Sequence, residues 1–174
     1  KSLKPQYRNT PACQAMLRKE FEIGYQLSHH GSAATLGLEQ VDTLGECIIE
    51  EWVDGIRLDQ FISDKSFSID QAQDIIAQLC EVLKYIHTHQ VIHRDLKPSN
   101  ILITADVNQV KVIDFGVSDT ASHAIFKGPA GTRDYTAPEL LAGATGDSRA
   151  DIYSLGIIIN LMNKHLPKSN RQLA

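Results

Sequence analysis

The sequence predicts an α+β protein in two lobes, a small one with a sheet and one helix over residues 1–53 and a mostly helical one over residues 54–174. Three observations point there. A helical stretch followed by short apolar, strand-like runs fills the first part, and Val53-Asp54-Gly55 then gives a turn signal. After the turn, two long stretches carry apolar residues at helical spacing. With 174 residues, 43% of them hydrophobic, the chain can bury a core.

Taken in order, residues 13–28 suit a helix, and after His29-His30-Gly31 the runs 35–38 and 47–49 suit strands. The turn at Val53 marks a hinge, beyond which residues 58–62 suit a short helix before the polar stretch 63–66. Ser68 with Gln71 forms a capping-box pattern, and Ala72, Ile75, Ile76, Leu79, Val82, Leu83 and Ile86 then recur at helical spacing. Two β-like runs, 101–103 and 110–113, flank a turn at 105–109 and predict a hairpin. A last helix is predicted over 149–162, with Ile152, Leu155, Ile159 and Met162 on its apolar stripe and Pro167 soon after its end. The chain shows no internal repeat and no low-complexity tract.

Composition excludes several classes of function. The 17 basic and 21 acidic residues are dispersed, for a net charge of -4, so no basic stripe exists to track a phosphate backbone and nucleic acid is not an expected partner. Cys13, Cys47 and Cys80 are odd in number and contain no Cys-x-x-Cys pair, which argues against a disulfide framework or zinc ribbon and for a reducing cytoplasm. No apolar run reaches the roughly 18–20 residues of a membrane span, and residues 1–8 lack a signal-peptide core. His87, His89 and the His29-His30 pair, without Cys or carboxylate partners at metal-binding spacing, are expected on helix surface and turn. His93 is expected as a buried imidazole bonded to backbone, and Phe115 as packing between the lobes.

Chemistry concentrates around the predicted hairpin. His93-Arg94-Asp95-Leu96-Lys97-Pro98-Ser99-Asn100 precedes it and Asp114-Phe115-Gly116 follows it. A hairpin holds its ends close, so Asp95, Asn100 and Asp114 can converge. Carboxylates and an amide oxygen are the hard ligands that Mg²⁺ takes while keeping phosphate and water in its other positions.

These motifs resemble those of the eukaryotic-type Ser/Thr protein kinase family, whose catalytic loop and metal motif read HRDLxxxN and DFG. Gly131-Thr132-Arg133-Asp134-Tyr135-Thr136-Ala137-Pro138-Glu139 is similar to the end of that family's activation segment, and Asp151-Ile152-Tyr153-Ser154-Leu155-Gly156 to its DxxxxG helix start. The resemblance implies a bilobal protein-kinase-like fold that binds ATP and Mg²⁺ and transfers the γ-phosphate to Ser/Thr hydroxyls of protein substrates. It implies that Asp95 accepts or orients the hydroxyl proton, that Lys97 meets the γ-phosphate, and that Asn100 and Asp114 hold the metal. Asp-Leu-Lys-Pro-x-Asn is the Ser/Thr form of the loop, and Thr132 agrees with it.

Upstream, the resemblance implies a strand lysine for the α and β phosphates and a helix glutamate to pair with it. Counting back from Leu27-Ser28-His29-His30 lands on Glu20, at the family's separation from Lys1; Lys4 and Glu22 are the weaker alternatives. As a terminal residue, Lys1 is expected to fray and to hold Glu20 only in an exposed pair. The backbone of Glu51 and Val53 is expected to face adenine. The family's Gly-rich loop would precede Lys1, and its later helices, with the Arg that pairs the Glu139 position, would follow residue 174, so a core truncated at both ends is expected. Gly24 stands where the family usually carries a bulky apolar residue, and Glu50 where it gates the pocket behind adenine. Arg94 could bind a phosphate carried by Thr120 or Ser122, or those hydroxyls could be ordinary loop polarity.

Two other classes fit less well. A binding module has no use for an intact Asp95, Asn100 and Asp114. A small-molecule kinase usually reads HxDxxxxN and lacks the Ala137-Pro138-Glu139 segment, so Leu96-Lys97-Pro98 and that segment favour a protein acceptor.

Overall fold

The computed structural model of the chain describes residues 1–64, 67–104, 109–115, 133–144 and 146–167. Helix α1 (Pro11–Gln26) starts with proline at its first position, where a fixed φ helps and a missing N–H costs nothing. It buries Cys13, Leu17 and Gly24, and ends where the Leu27 N–H bonds Gly24 O at 3.1 Å.

Strands β1 (Thr35–Val41) and β2 (Gly45–Glu50) form an antiparallel hairpin with Leu38 opposite Ile48. Both run longer than the apolar segments predict, because the ladder continues through the polar pairs Glu39–Cys47 and Gln40–Glu46 to Gly45, whose φ of 76° suits the turn. Lys1 lies alongside β2: its carbonyl accepts the Ile48 N–H at 2.8 Å, and its terminal ammonium donates to Ile48 O at 2.6 Å. Ser2 bridges Cys47. Cross-strand pairing therefore holds the Lys1 backbone, against the expectation that it frays.

The second sheet has the antiparallel order β3 (Gly55–Arg57), β4 (Ile101–Thr104), β5 (Val110–Val112). The two strands of the predicted hairpin are β4 and β5, paired antiparallel, while residues 105–108 of the predicted turn lie outside the described residues. β3 escaped prediction because three residues that open on a glycine read as a turn. Here a Cβ on Gly55 would lie 2.7 Å from Ile103 O, so glycine lets the strands approach.

α2 (Leu58–Asp64) buries Leu58, Phe61 and Ile62. In α3 (Ile69–Thr88) the capping box forms as the spacing predicts, with Gln71 N–H donating to Ser68 Oγ at 3.1 Å and Ser68 N–H to Gln71 Oε1 at 2.9 Å. Its stripe Ala72, Ile75, Leu79, Val82, Leu83 and Ile86 is buried. With Ile101, Val112, Ile158 and Met162, these side chains form the main core.

α4 (Pro138–Leu141) is a single turn, and α5 (Arg149–His165) is the last described helix. The stripe predicted for α5 needs correction. Ile152 is 53% exposed, whereas Asp151 is fully buried together with Ala150, Ser154, Leu155, Ile158 and Met162. The helix is turned by about one residue, or roughly 100°, because Asp151 has polar partners in the interior.

Candidate active site

The loop after α3 is built around two buried groups. His93 is fully buried. The Asp95 N–H donates to its Nδ1 at 3.3 Å, so Nε2 carries the proton and donates to Ile113 O at 3.2 Å. Its ring meets Phe115 at a centroid distance of 5.3 Å. The imidazole thus ties the loop to the residues on either side of Asp114.

The second group is Asp151, reaching in from the first turn of α5. It accepts the His93 N–H at 2.9 Å, the Arg94 N–H at 2.8 Å and a bond from His87 Nε2 at 2.8 Å. Burial pushes its carboxyl up, but the His87 bond, the nearby His93 and the two backbone donors outweigh that and hold it below the usual aspartate value. Arg94 takes φ of 61°, a left-handed conformation costly for a side chain of this size, and the bond from its N–H to Asp151 helps to hold it.

On this frame Asp95, Lys97 and Asn100 come together. Lys97 Nζ lies 2.8 Å from Asp95 Oδ2, and Asn100 Nδ2 donates to Asp95 O at 3.0 Å and to Oδ2 at 3.4 Å. Both neighbours of that amide are acceptors, so its nitrogen faces Asp95 and its Oδ1 is left as a hard oxygen ligand. Asp95 and Asn100 are only 7% and 6% exposed. The Ile113 N–H bonds Asn100 O at 3.0 Å, joining this cluster to the residue before Asp114.

A second cluster joins Lys1 Nζ to both Glu20 and Asp114. The Lys1 side chain is 35% exposed and that of Glu20 only 11%, so the pair is more enclosed than expected. Burial pushes the Lys1 ammonium down, but the charges of Glu20 and Asp114 outweigh it and hold the group above its ordinary range. The Asp114 carboxyl is pushed up by burial and drawn further down by Lys1. For Glu20, burial wins over Lys1 and raises the carboxyl.

Between the sheets lies a cleft of about 310 Å³ whose lining includes Glu20, Glu51, Val53, Leu102 and Asp114. The Glu51 carboxylate is committed elsewhere, to the Ala34 N–H at 3.0 Å and Lys111 Nζ at 2.9 Å. Burial pushes that carboxyl up, and the bonds from Lys111 and Ala34 bring it below its usual value. The Glu51 N–H bonds Ala34 O at 2.8 Å. Among the described residues no bond takes up the Glu51 carbonyl or the Val53 N–H, an acceptor and a donor beside an apolar wall, which suits a purine edge.

No cluster of three or more His, Cys, Asp or Glu side chains able to hold a metal occurs among the described residues. The Asn100 amide oxygen and the Asp114 carboxylate are hard oxygen donors, the type that would suit Mg²⁺ held by one or two protein groups plus phosphates. Thr132 lies outside the described residues, as do Gly116, Thr120 and Ser122.

Sequence reasoning missed three supporting residues. His87, expected on the helix surface, is partly buried against Asp151. Asp151 was visible only as the first residue of a helix motif, although a lone carboxylate at the head of an apolar helix is a signal of an inward partner. Lys111 reads as an ordinary strand lysine and is recognisable only once Glu51 lies beside it.

A small sheet and helix above a helical lobe, with a cleft between the sheets lined by Ile113 and Asp114 and an Asp95-Lys97-Asn100 cluster bonded to Ile113, define a bilobal, kinase-like fold. Residues 3–173 match the protein kinase domain, and the chain belongs to that family. It is 33% identical over 168 residues to the serine/threonine-protein kinase PknB of Mycolicibacterium smegmatis, covering 91% of this chain and 27% of that protein. To the serine/threonine-protein kinase TIO of Arabidopsis thaliana it is 35% identical over 149 residues, covering 82% of this chain and 11% of that one. The crystal structure of the Mycobacterium tuberculosis PknI kinase domain superposes with a TM-score of 0.71 at 26% identity, covering 99% of this chain and 65% of that domain. The chain thus spans about a quarter of the length of the PknB relatives.

Proposed function

We propose that this chain is the catalytic core of a Ser/Thr protein kinase, transferring the γ-phosphate of ATP to Ser/Thr hydroxyls of protein substrates. The observation that carries it is the hydrogen-bonded set Asp95, Lys97 and Asn100, joined through Ile113 to Asp114 at the edge of the cleft. Similarity to PknB and TIO, both named serine/threonine-protein kinases, supports the class of acceptor.

Asp95 Oδ2 is the acceptor for the substrate hydroxyl proton, and Lys97, already on that oxygen, supplies positive charge where the γ-phosphate arrives. Asn100 Oδ1 and Asp114 are the groups to hold Mg²⁺, which when bound neutralises charge on the phosphate oxygens. Lys1 serves the α and β phosphates with Glu20 orienting it, and the Glu51 carbonyl and Val53 N–H take the adenine edge. Thr132 joins the proposed catalytic residues through the family resemblance alone. Three free cysteines, Cys80 among them exposed, suit a reducing cytoplasm, and a protein rather than nucleic acid is the partner proposed.

The test is transfer of labelled γ-phosphate from Mg-ATP to a mixed protein panel by the purified chain, with phosphoamino-acid identification. Asp95→Asn should lower kcat by roughly 10² to 10⁴-fold, the scale of a positioned acid or base, while Mg-nucleotide binding persists. Equal rates for both chains would overturn the assignment.

A further inference from the structure

Gly24 stands one helical turn after Glu20 on α1, so the two share a face. It is buried, and Thr35 at the start of β1 presses directly on it. A Cβ placed on Gly24 would lie 2.3 Å from Thr35 Oγ1 and 3.2 Å from Thr35 Cβ. Thr35 has little room to yield. It is paired with Glu50 in the ladder, and the adjoining Ala34 is held by two bonds to Glu51. Being β-branched, it is restricted in χ1, and although rotation could move Oγ1 aside, its Cβ, 3.2 Å away, stays where it is.

We infer that Gly24 is a positioning residue: by carrying no side chain it lets α1 close onto β1 at the separation that brings Glu20 onto Lys1. Any side chain at position 24 must be accommodated by moving α1, and Glu20 moves with it. The kinetic consequence rests on the phosphotransfer reading above; the packing consequence does not.

Substitution by alanine separates this from a merely permissive glycine by the sign of the effect. Alanine is the better helix former, so with room at position 24 Gly24→Ala would raise Tm by about 2–4 °C. The expected result is a lower Tm. Thiol titration of the native chain should show one fast-reacting group, since Cys80 is exposed while Cys13 on α1 and Cys47 are buried. Lifting α1 should add Cys13. At saturating protein acceptor, kcat/KM for Mg-ATP should fall about 10 to 100-fold, the scale of a misplacement near 1 Å.

Thr35→Ala removes the atom at 2.3 Å, and the Gly24→Ala/Thr35→Ala chain, compared with Thr35→Ala alone, should recover most of the losses in Tm, thiol protection and kcat/KM. A higher Tm with unchanged kinetics for Gly24→Ala, or an equal loss in both backgrounds, overturns the inference. If Gly24→Ala does not fold, folding of the double variant supports the contact and its failure to fold rejects it. If the native chain transfers no phosphate, the proposed function fails, and Tm and thiol exposure still decide the role of Gly24.

Discussion

Asp151 shows how one buried carboxylate can organise the loop that carries Asp95. Its carboxylate accepts from His93 N–H, Arg94 N–H and His87, and so holds the backbone of the residue before Asp95 in a left-handed conformation. Asn at this position keeps one acceptor, and its NH₂ must face a donor. Asp151→Asn should therefore lose about 2–3 kcal/mol, read as a lower urea midpoint with an unchanged slope. The pH dependence has a definite sign. The folded carboxyl is held below its ordinary value, so its stabilisation is fully present above about pH 4 and is lost as pH falls through the lower folded value. The stability gap between the native chain and Asp151→Asn should narrow below about pH 4, and a constant gap down to about pH 2.5 would refute this account.

Among the elements, α3 is the one whose ends and buried face follow most directly from local sequence. Both reciprocal bonds of its capping box form. Ser68→Ala removes one acceptor from the first turn, which costs about 1 kcal/mol and lowers Tm by about 2–4 °C. Ser68 lies at the opposite end of α3 from the loop that carries Asp95, so the KM for Mg-ATP should stay at its native value. A thermal scan and one kinetic series check both halves of that expectation. α5 behaves differently, because its rotation is set by Asp151 and by Ser154, whose Oγ donates to Tyr135 O at 2.7 Å.

Across the whole molecule, residues 31–34 stitch the two sheets together. Val112 N–H bonds Gly31 O at 2.8 Å, Ala33 N–H bonds Val112 O at 3.0 Å, and Lys111 reaches Glu51 from the second sheet. A nucleotide in the cleft would touch both sides of this seam. Mg-ATP at about 100 times its Kd should then add about 2.7 kcal/mol and raise Tm by roughly 5–10 °C. If Asp114 holds the metal as proposed, Asp114→Ala should shrink that shift to the value seen with ATP and EDTA. If magnesium adds the same increment to both chains, Asp114 is not its ligand.

Features that depend on near neighbours and on atom types could be read before the chain was folded. The α3 periodicity and cap, the β4–β5 hairpin, and the Asp95, Lys97, Asn100 and Asp114 set at its two ends were legible because each is written within a few consecutive residues. The pairing of Lys1 with Glu20 was legible through family spacing. Long-range packing was needed to anchor Lys1 on Ile48, to make Gly55–Arg57 a strand, to turn Asp151 inward and Ile152 outward, and to commit the Glu51 charge to Lys111. Each of these depends on a partner distant in the chain. A carboxylate or a short glycine-led run has the same local pattern at the surface as in the interior, and its place is set by whether burial brings it a matching donor, acceptor or cation.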